Sequence, residues 1–315
     1  MSEIYDIYHD ESKQEAYWHG FLFVPRNSKD DLLELLLEAR SNTDYHHRIH
    51  YSEIKNATKS YHEKAIITKS WTTIGVYSLQ QQKLLKLPPL VFLGVSKRLG
   101  VKPVYRKMNK LVKAKFVLLK DNDNHKKMFS GMSELECIET TFRMGLKGGV
   151  HKLFSEAEPI TIGNVFIDGD EQYTGKFGRT FDINRSLRRF AMERKPFVSF
   201  CSDSKLIPQK SDHQQIDSSQ DKSDSHLLQL CDILIGGFRF YSYCPDSKHI
   251  KYKISYPCRD LLNHDQNNYA RMKESRFFNG FSLSQAQLVN DQWEFNPLNI
   301  GNDRRIPKII QKELI

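Results

Sequence analysis

The fold is decided by residues 3–25, which have the sequence EIYDIYHDESKQEAYWHGFLFVP. Two runs rich in aromatic and branched residues, 3–10 and 16–25, flank a short polar turn, and this arrangement predicts a β-hairpin. Further along the chain, strand-like runs alternate with helical patterns. An antiparallel hairpin followed by such an alternation is typical of a mixed sheet covered by helices. The sequence therefore predicts an α/β protein.

The later elements are predicted from periodicity and composition. Helices are expected over 30–40, 59–72, 131–147, 183–194 and 226–242. Strands are expected over 114–119, 160–168 and 197–201. Residues 45–110 give a mixed signal that includes a short strand-like run, HHRIHYSEI. The segment 208–225 is almost entirely polar, which predicts a mobile loop.

Composition limits the classes of protein that this chain can belong to. At 315 residues it can form one large core or a core with appended pieces, and 39% hydrophobic residues are too many for a disordered chain. The longest apolar stretch, 87–95, is interrupted by two prolines and is far shorter than the ~20 residues of a membrane helix. The amino terminus carries acids and tyrosines instead of the basic and apolar runs of a secretory signal. We expect a cytoplasmic protein without a membrane partner.

Charge and cysteine content add two expectations. The five cysteines are scattered and form no CxxC pair, so we expect reduced thiols rather than a disulfide framework or a zinc site. The net charge of +9 favours a polyanionic partner such as nucleic acid, although an ordinary soluble surface would explain it equally well.

One acidic residue lies inside an otherwise apolar helix. Residues 227–240, LLQLCDILIGGFRF, are apolar nearly all round and should be buried, with Asp232 in the middle. A carboxylate removed from water without a partner costs several kcal/mol, so Asp232 should be neutralised, paired with a cation or bound to a metal. A salt bridge to Arg239 or to a lysine is the structural alternative. Gly236 and Gly237 would admit a close neighbour, either a substrate or a packed side chain.

Two further acids end predicted strands. Alternation along the first strand places Asp6, Tyr8 and Asp10 on one face, with Asp10 at the strand end. The run NVFIDGDE likewise ends on Asp168 before Gly169. Strand ends are common positions for functional groups, whereas turn capping is the structural alternative for each aspartate alone. Together with Asp232, they suggest a shared site.

A fourth acid is indicated by the geometry of helix 131–147. The apolar stripe of that helix consists of Leu135, Ile138, Phe142 and Leu146. Glu139 lies within or at the edge of this stripe, and pairing with Arg143 is its structural alternative. Three aspartates and a glutamate would form an all-oxygen site suited to Mg²⁺ or Mn²⁺. Two such ions can activate a water and stabilise the leaving oxygen of a phosphodiester.

Several motifs resemble one family. They are YHDES followed by GFLF, HYSEIK at 50–55, FIDGD, and SDSK at 202–205 followed by HLLQLCDILIGG. They resemble the domain of unknown function 3800 family, which is similar to the ribonuclease H-like superfamily of nucleases and integrases, over about residues 4–240. The resemblance implies a ribonuclease H-like mixed sheet flanked by helices in residues 1–242. It also implies a helical insertion near 28–110 and a carboxy-terminal extension, 243–315, packed on the core.

The resemblance also implies roles for individual residues. The superfamily carries acids on the first strand, the first helix, the fourth strand and a late helix. By this resemblance Asp10 matches the first-strand acid, Asp168 the fourth-strand acid and Asp232 the late-helix acid. Glu53 in SEIK matches the family motif at the second of these positions, while Glu139 fits the helix position. Lys205, after Ser204, would hold a phosphate or pair with a site acid. The chain departs from the family in having Cys231 where alanine is usual.

Two functions from different classes are compatible with these features. The first is a divalent-metal-dependent nuclease that hydrolyses DNA or RNA. The second is a non-catalytic nucleic-acid-binding or protein-interaction module of a mobile-element or phage-defence system. A protein partner or a second copy of the chain is also compatible with such a module. Convergence of the three aspartates would favour the first, and an ion pair from Arg or Lys to Asp232 would favour the second.

A basic helix is the expected nucleic-acid contact. The sequence INRSLRRFAMERK, residues 183–195, follows the strand that ends at Asp168, so we expect Arg185, Arg188 and Arg189 to bind phosphates. An ordinary solvated helix face is the alternative, because the same helix has apolar residues for a core stripe.

Overall fold

The computed structural model describes most of the predicted core. The described ranges are 3–13, 17–55, 62–79, 114–120, 131, 134–154, 159–168, 198–243, 249–259, 261–262, 280–289 and 292–297. Within them the chain forms an α/β structure in which one mixed sheet is flanked by helices. None of the helices in these ranges is long and apolar enough to cross a membrane.

Eight strands form the sheet in this part of the chain. They are β1 (Ile4–Ser12), β2 (Trp18–Pro25), β3 (Lys115–Lys120), β4 (Ile160–Asp168), β5 (Val198–Phe200), β6 (Leu206–Gln209), β7 (Phe281–Val289) and β8 (Gln292–Pro297). Their order is β5-β4-β1-β2-β3-β7-β8, and β6 also pairs with β4. The pairs β1–β2, β2–β3 and β7–β8 are antiparallel, whereas the others are parallel.

The helices lie on both faces of the sheet. They are α1 (Arg26–Thr43), α2 (Glu63–Leu79), α3 (Glu134–Leu153), α4 (Ser223–Tyr243) and α5 (Ile250–Ser255), with short 3₁₀ helices at Tyr51–Glu53 and His213–Gln215. Helices α1, α2 and α4 pack on the face that carries Tyr8 and Phe166. Helix α3 packs on the opposite face against Phe21 and Val117. The even-numbered residues of β1 therefore face α4.

Helix α4 is the centre of the larger core. Its residues Leu227, Leu230, Ile233 and Leu234 are at most 1% exposed, and burial of each side chain stabilises the fold by about 1.5–3 kcal/mol. The helix approaches β2 closely because Gly20 has no side chain, and a Cβ there would overlap Ile235. The sequence pattern of a helix that is apolar nearly all round is thus explained by neighbours on several sides.

The main sequence predictions for the fold are confirmed. The hairpin is β1 with β2, paired from Tyr5 and Pro25 to Ser12 and Trp18. The strands predicted at 114–119, 160–168 and 197–201 are β3, β4 and β5, and the helices predicted at 30–40, 131–147 and 226–242 are α1, α3 and α4. The helix expected over 59–72 begins at Glu63 and continues to Leu79. The basic helix predicted at 183–194 lies outside the described residues.

One local prediction is wrong. The strand-like run HHRIHYSEI forms irregular backbone followed by a 3₁₀ helix at Tyr51–Glu53. The polar segment 208–225 begins in the last two residues of β6, ends in the first turn of α4 and is mostly irregular between them. Within it Ser211, His213 and Ile216 are buried, so part of this loop packs against the rest of the protein.

Residues of the predicted insertion and extension contribute to the same structure. The described part of the insertion consists of α1, α2 and the connecting residues 44–55 with their 3₁₀ helix. Strand β7 pairs in parallel with β3, so residues beyond 243 continue the sheet. Helix α5 contributes Ile250 and Ile254 to a small apolar cluster around Tyr51.

Candidate functional site

Asp10 and Asp168 lie side by side at the carboxyl ends of two parallel strands. In the β1–β4 pair, Tyr8 is opposite Phe166 and His9 is opposite Ile167, so the next position along brings Asp10 and Asp168 together. Neighbouring strands are ~4.8 Å apart, and side chains at this level point to the face where the Tyr8 and Phe166 rings stack with centroids 5.0 Å apart. Both acids therefore face α4.

Asp232 reaches the same place from α4. The preceding residue, Cys231, places its Sγ 3.4 Å from the carbonyl oxygen of Tyr8 and 3.6 Å from that of Gly20. Gly20 is in turn the β2 residue paired with Asp10. The helix thus crosses the sheet directly beside Asp10.

The charges of the three acids act on one another. Burial raises the pKa of Asp10 well above its usual range, and the charges of Asp232 and Asp168 raise it further. Burial also raises the pKa of Asp168, and Asp232 adds to this effect, while a hydrogen bond from Ser211 and the charge of Arg48 oppose it. Because like charges raise a carboxyl pKa only at short range, the structure brings these three predicted residues together.

Each of the three carboxylates accepts a backbone hydrogen bond. Asp10 Oδ1 accepts from Glu11 N at 2.7 Å, Asp168 Oδ1 from Ser211 N at 3.2 Å and Asp232 Oδ2 from Tyr51 N at 2.7 Å. These bonds orient the acids toward their own segments. In this arrangement, the described ranges contain no group of three or more His, Cys, Asp or Glu side chains that could hold a metal ion.

The surroundings of Asp232 exclude one structural alternative. Among the residues that the structure describes, neither Arg239 nor any lysine forms an ion pair with Asp232. His50 Nδ1 is 3.3 Å from Asp232 Oδ2, but it is also 3.2 Å from Ser52 N, whose N–H it accepts. The same ring nitrogen is therefore within reach of both the Asp232 carboxylate and the Ser52 N–H.

Glu53 belongs to a segment that contacts Asp232, but its carboxylate has another partner. Gly236 lets the Tyr51 ring lie against α4, since a Cβ on that glycine would overlap the ring. The Tyr51 N–H then reaches Asp232. The Glu53 side chain is 45% exposed and forms an ion pair with Lys64. The structure therefore places the HYSEIK motif at the site through Tyr51, and the Glu53 carboxylate at the edge of the site.

The other predicted site residues are distributed differently. The helix that carries Glu139 lies on the opposite face of the sheet, and the Glu139 side chain is outside the described residues. Lys205 is exposed and precedes Gln209, the partner of Asp168, by four residues, which is ~13 Å of strand. The structure does not bring Lys205 to the three acids. Arg185, Arg188 and Arg189 are outside the described residues.

Sequence reasoning missed two residues that shape this site. Arg48 lies in the HHRIH run and acts electrostatically on Asp168. Gln229 is 1% exposed and lies one helical turn before Asp232. Gln229 could have been predicted as a buried functional residue, because it is a single amide inside an apolar helix. Arg48 could not, because it is one arginine in a run of basic residues.

Comparisons with known proteins leave the family open. The chain matches no protein-family model, no curated protein and no solved structure.

Proposed function

We propose that the chain is a divalent-metal-dependent nuclease with a ribonuclease H-like core. The observation that carries this proposal is the convergence of Asp10, Asp168 and Asp232 on one face of the sheet, without an ion pair to Lys or Arg among the described residues. Three carboxylates gathered in a partly buried position repel one another, which is expensive unless a cation is bound at some stage of function.

The positions of the acids support the ribonuclease H-like assignment. The resemblance implies acids on the first strand, the fourth strand and a late helix. Asp10 lies two residues before the end of β1, Asp168 ends β4 and Asp232 lies in α4. Three independent elements therefore carry an acid where the resemblance expects one.

The donor set fits Mg²⁺ or Mn²⁺. These ions prefer oxygen ligands, and ionised carboxylates are acceptor-only oxygen groups. Asp10, Asp168 and Asp232 would hold the ion, and Glu53 would be the fourth acid, because the helix that carries Glu139 packs on the opposite face of the sheet. The ion would activate a water and stabilise the leaving oxygen of a phosphodiester. In the hydrolysis, one P–O ester bond breaks, phosphorus gains the hydroxyl of water and the leaving oxygen gains the proton.

The residues of the chain prepare this chemistry by orienting the acids. The backbone N–H groups of Glu11, Ser211 and Tyr51 each bind one carboxylate oxygen and so limit its rotation. The net charge of +9 suits a polyanionic substrate. Nucleic acid is therefore the proposed substrate class.

A nuclease assay tests the proposal directly. Wild-type protein is incubated with single- and double-stranded DNA and RNA in Mg²⁺, in Mn²⁺ and in EDTA. We expect cleavage with metal, none in EDTA, and none in the Asp10→Asn variant. Asp30→Asn is the matched control, because it makes the same change at an exposed position in the first turns of α1, near the other end of β1. Cleavage in EDTA, or equal cleavage by Asp10→Asn, would overturn the proposal.

A non-catalytic module on the same fold remains the second candidate. The pairing of Glu53 with Lys64 favours it, because that acid is already satisfied without a metal. In that case the protein would bind nucleic acid or a protein partner, as in a mobile-element or phage-defence system, and cleave nothing. Binding without cleavage under every metal condition would support this candidate.

A further inference from the structure

Arg48 places a cation with unused hydrogen-bond donors beside the three acids. Two residues further on, His50 Nδ1 lies 3.3 Å from Asp232 Oδ2, so the segment of Arg48 runs beside the acids, and the charge of Arg48 acts to lower the pKa of Asp168. The Nε atom is buried and has no hydrogen-bond partner. Within the described ranges, the five N–H donors of this side chain form neither a hydrogen bond nor an ion pair. An arginine that served only to neutralise Asp168 would be expected to contact it.

The backbone around Arg48 is held on both sides. Arg40 Nη1 donates to the carbonyl oxygens of Tyr45 at 3.1 Å and His47 at 2.8 Å. Gln229 Oε1 accepts from Ile49 N at 3.0 Å. Arg48 therefore lies between two anchored residues, and its side chain starts from a fixed backbone position.

The same amide also anchors the segment that holds Asp168. Gln229 Nε2 donates to the carbonyl oxygen of Ser211 at 2.6 Å and contacts His213 Nδ1 at 3.1 Å. The Ser211 N–H in turn binds Asp168 Oδ1. One buried glutamine, one turn before Asp232, thus sets the position of Arg48 relative to Asp168.

We infer that Arg48 binds the phosphate of the substrate at this site by donating to its non-bridging oxygens. The inference rests on the proposed function and adds a substrate contact to it. Carboxylates repel a phosphodiester, and a fixed positive charge beside them reduces this repulsion as the substrate approaches. The planar guanidinium fork matches two phosphate oxygens, which a lysine cannot do. Negative charge on those oxygens changes during hydrolysis, so the contact also contributes to the rate.

The experiment compares Arg48→Gln and Arg48→Lys with a matched control, Arg143→Gln. Arg143 is also half-buried but belongs to α3 on the opposite face of the sheet. With Mn²⁺ and the short oligonucleotide that wild-type protein cleaves, Arg48→Gln should lower kcat by about 10²–10³-fold with a smaller change in KM. Arg48→Lys keeps the charge and should lower kcat by about tenfold, while Arg143→Gln should stay within about twofold.

Each outcome bears on the inference separately from the nuclease proposal. If wild-type protein cleaves and Arg48→Gln retains at least about a third of wild-type kcat, Arg48 has no such role. If Arg48→Gln does not fold, wild-type kcat in Arg48→Lys overturns the inference instead. If wild-type protein binds oligonucleotides without cleaving them, Arg48→Gln should weaken binding in EDTA and reduce the log–log salt slope by about 0.7–0.9. Unchanged affinity and slope would refute the contact, and a wild-type protein that neither binds nor cleaves would refute both proposals.

Discussion

Aspartates near the two ends of one face of β1 have different kinds of partner. At the amino-terminal end, Asp6 accepts from Arg26 Nε at 3.1 Å and from Asn164 N at 2.8 Å. Above it, Asp224 of α4 accepts from Lys29 Nζ and from Tyr8 Oη, both at 2.7 Å. Both acids have a cation because the first turn of α1 passes this end of the strand.

At the carboxyl end of β1, the charged neighbours of each acid include the other two acids. Asp10 lies beside Asp168 and Asp232, and after burial their charges are the largest causes that raise its pKa. No residue of α1 or α2 in the described ranges pairs with these three acids. The fold thus brings lysine and arginine into direct contact with acids at one end of this face, whereas none of the described lysines and arginines contacts the three acids at the other end. Unpaired acids at the other end therefore call for a ligand.

The largest effect is expected when the unpaired end loses an acid. Asp232→Asn should keep the fold, because the amide oxygen can still accept the Tyr51 N–H. It should reduce metal-dependent cleavage by at least about 100-fold, since metal stabilisation of the transition state is worth several kcal/mol. Circular dichroism and the nuclease assay together check this. Wild-type activity in the folded variant would show that Asp232 is structural, and loss of folding would reveal a buried ion pair.

The fourth acid should give the next largest effect. Glu53→Gln should lower cleavage about 10–100-fold and weaken Mn²⁺ binding, because Tyr51 of the same 3₁₀ helix already contacts Asp232. Glu139→Gln should have a much smaller effect, because α3 packs on the opposite face of the sheet. Steady-state cleavage and Mn²⁺ titration distinguish the two. Equal, mild losses would mean that the site has only three acids.

The paired end should respond in stability instead of activity. Asp6→Asn removes the charge that Arg26 contacts, and it should lower the free energy of unfolding by about 1.5–3 kcal/mol, the value of a hydrogen bond to a charged group. Cleavage by the folded variant should remain close to wild type. Urea unfolding measures the loss. If Asp6→Asn abolished cleavage without loss of stability, the contrast between the two ends would be wrong.

Gln229 should affect both stability and the geometry of the unpaired end. Gln229→Leu leaves the Ile49 N–H and the Ser211 carbonyl without their buried partner, which should cost about 1–3 kcal/mol. Amide hydrogen exchange should accelerate in peptides that cover 45–51 and 209–213 and stay unchanged in β1. Uniformly faster exchange across the protein would indicate simple destabilisation.

The smallest expected effect is a pH dependence at the unpaired end, measured in EDTA. Burial and the neighbouring acids raise the pKa of Asp10 in the folded protein above its ordinary value of 3.8. The folded state then binds more protons than the unfolded state between these two pKa values, so wild-type stability falls as pH rises through that window. The difference in unfolding free energy between Asp10→Asn and wild type should grow over the same window and then level off. For Asp30→Asn, by contrast, we expect no such growth.

Local sequence patterns predicted the elements of this fold and three acids of its candidate site. Aromatic and branched residues on either side of a polar turn identified the β1–β2 hairpin, because such residues favour strands whatever their partners are. Asp232 was recognisable as an acid inside the apolar sequence of α4, and Asp10 and Asp168 were recognisable as acids at predicted strand ends. These signals depend on a few consecutive residues, so they could be recognised without knowledge of long-range contacts.

The packing of the elements determined which polar residues contact one another. Asp6 and Asp10 share a strand face and have equivalent local patterns, yet one is paired because α1 brings Arg26 to it. The polar segment 208–225 gained a strand from pairing with β4, and Arg48 became a neighbour of Asp168 through the contacts of Gln229. Hydrogen bonds and charge interactions depend on distances between residues far apart in the chain, whereas periodicity depends only on neighbours along it. Local sequence patterns therefore identified the elements and their acids, and the packing of the elements decided which acids contact a lysine or an arginine.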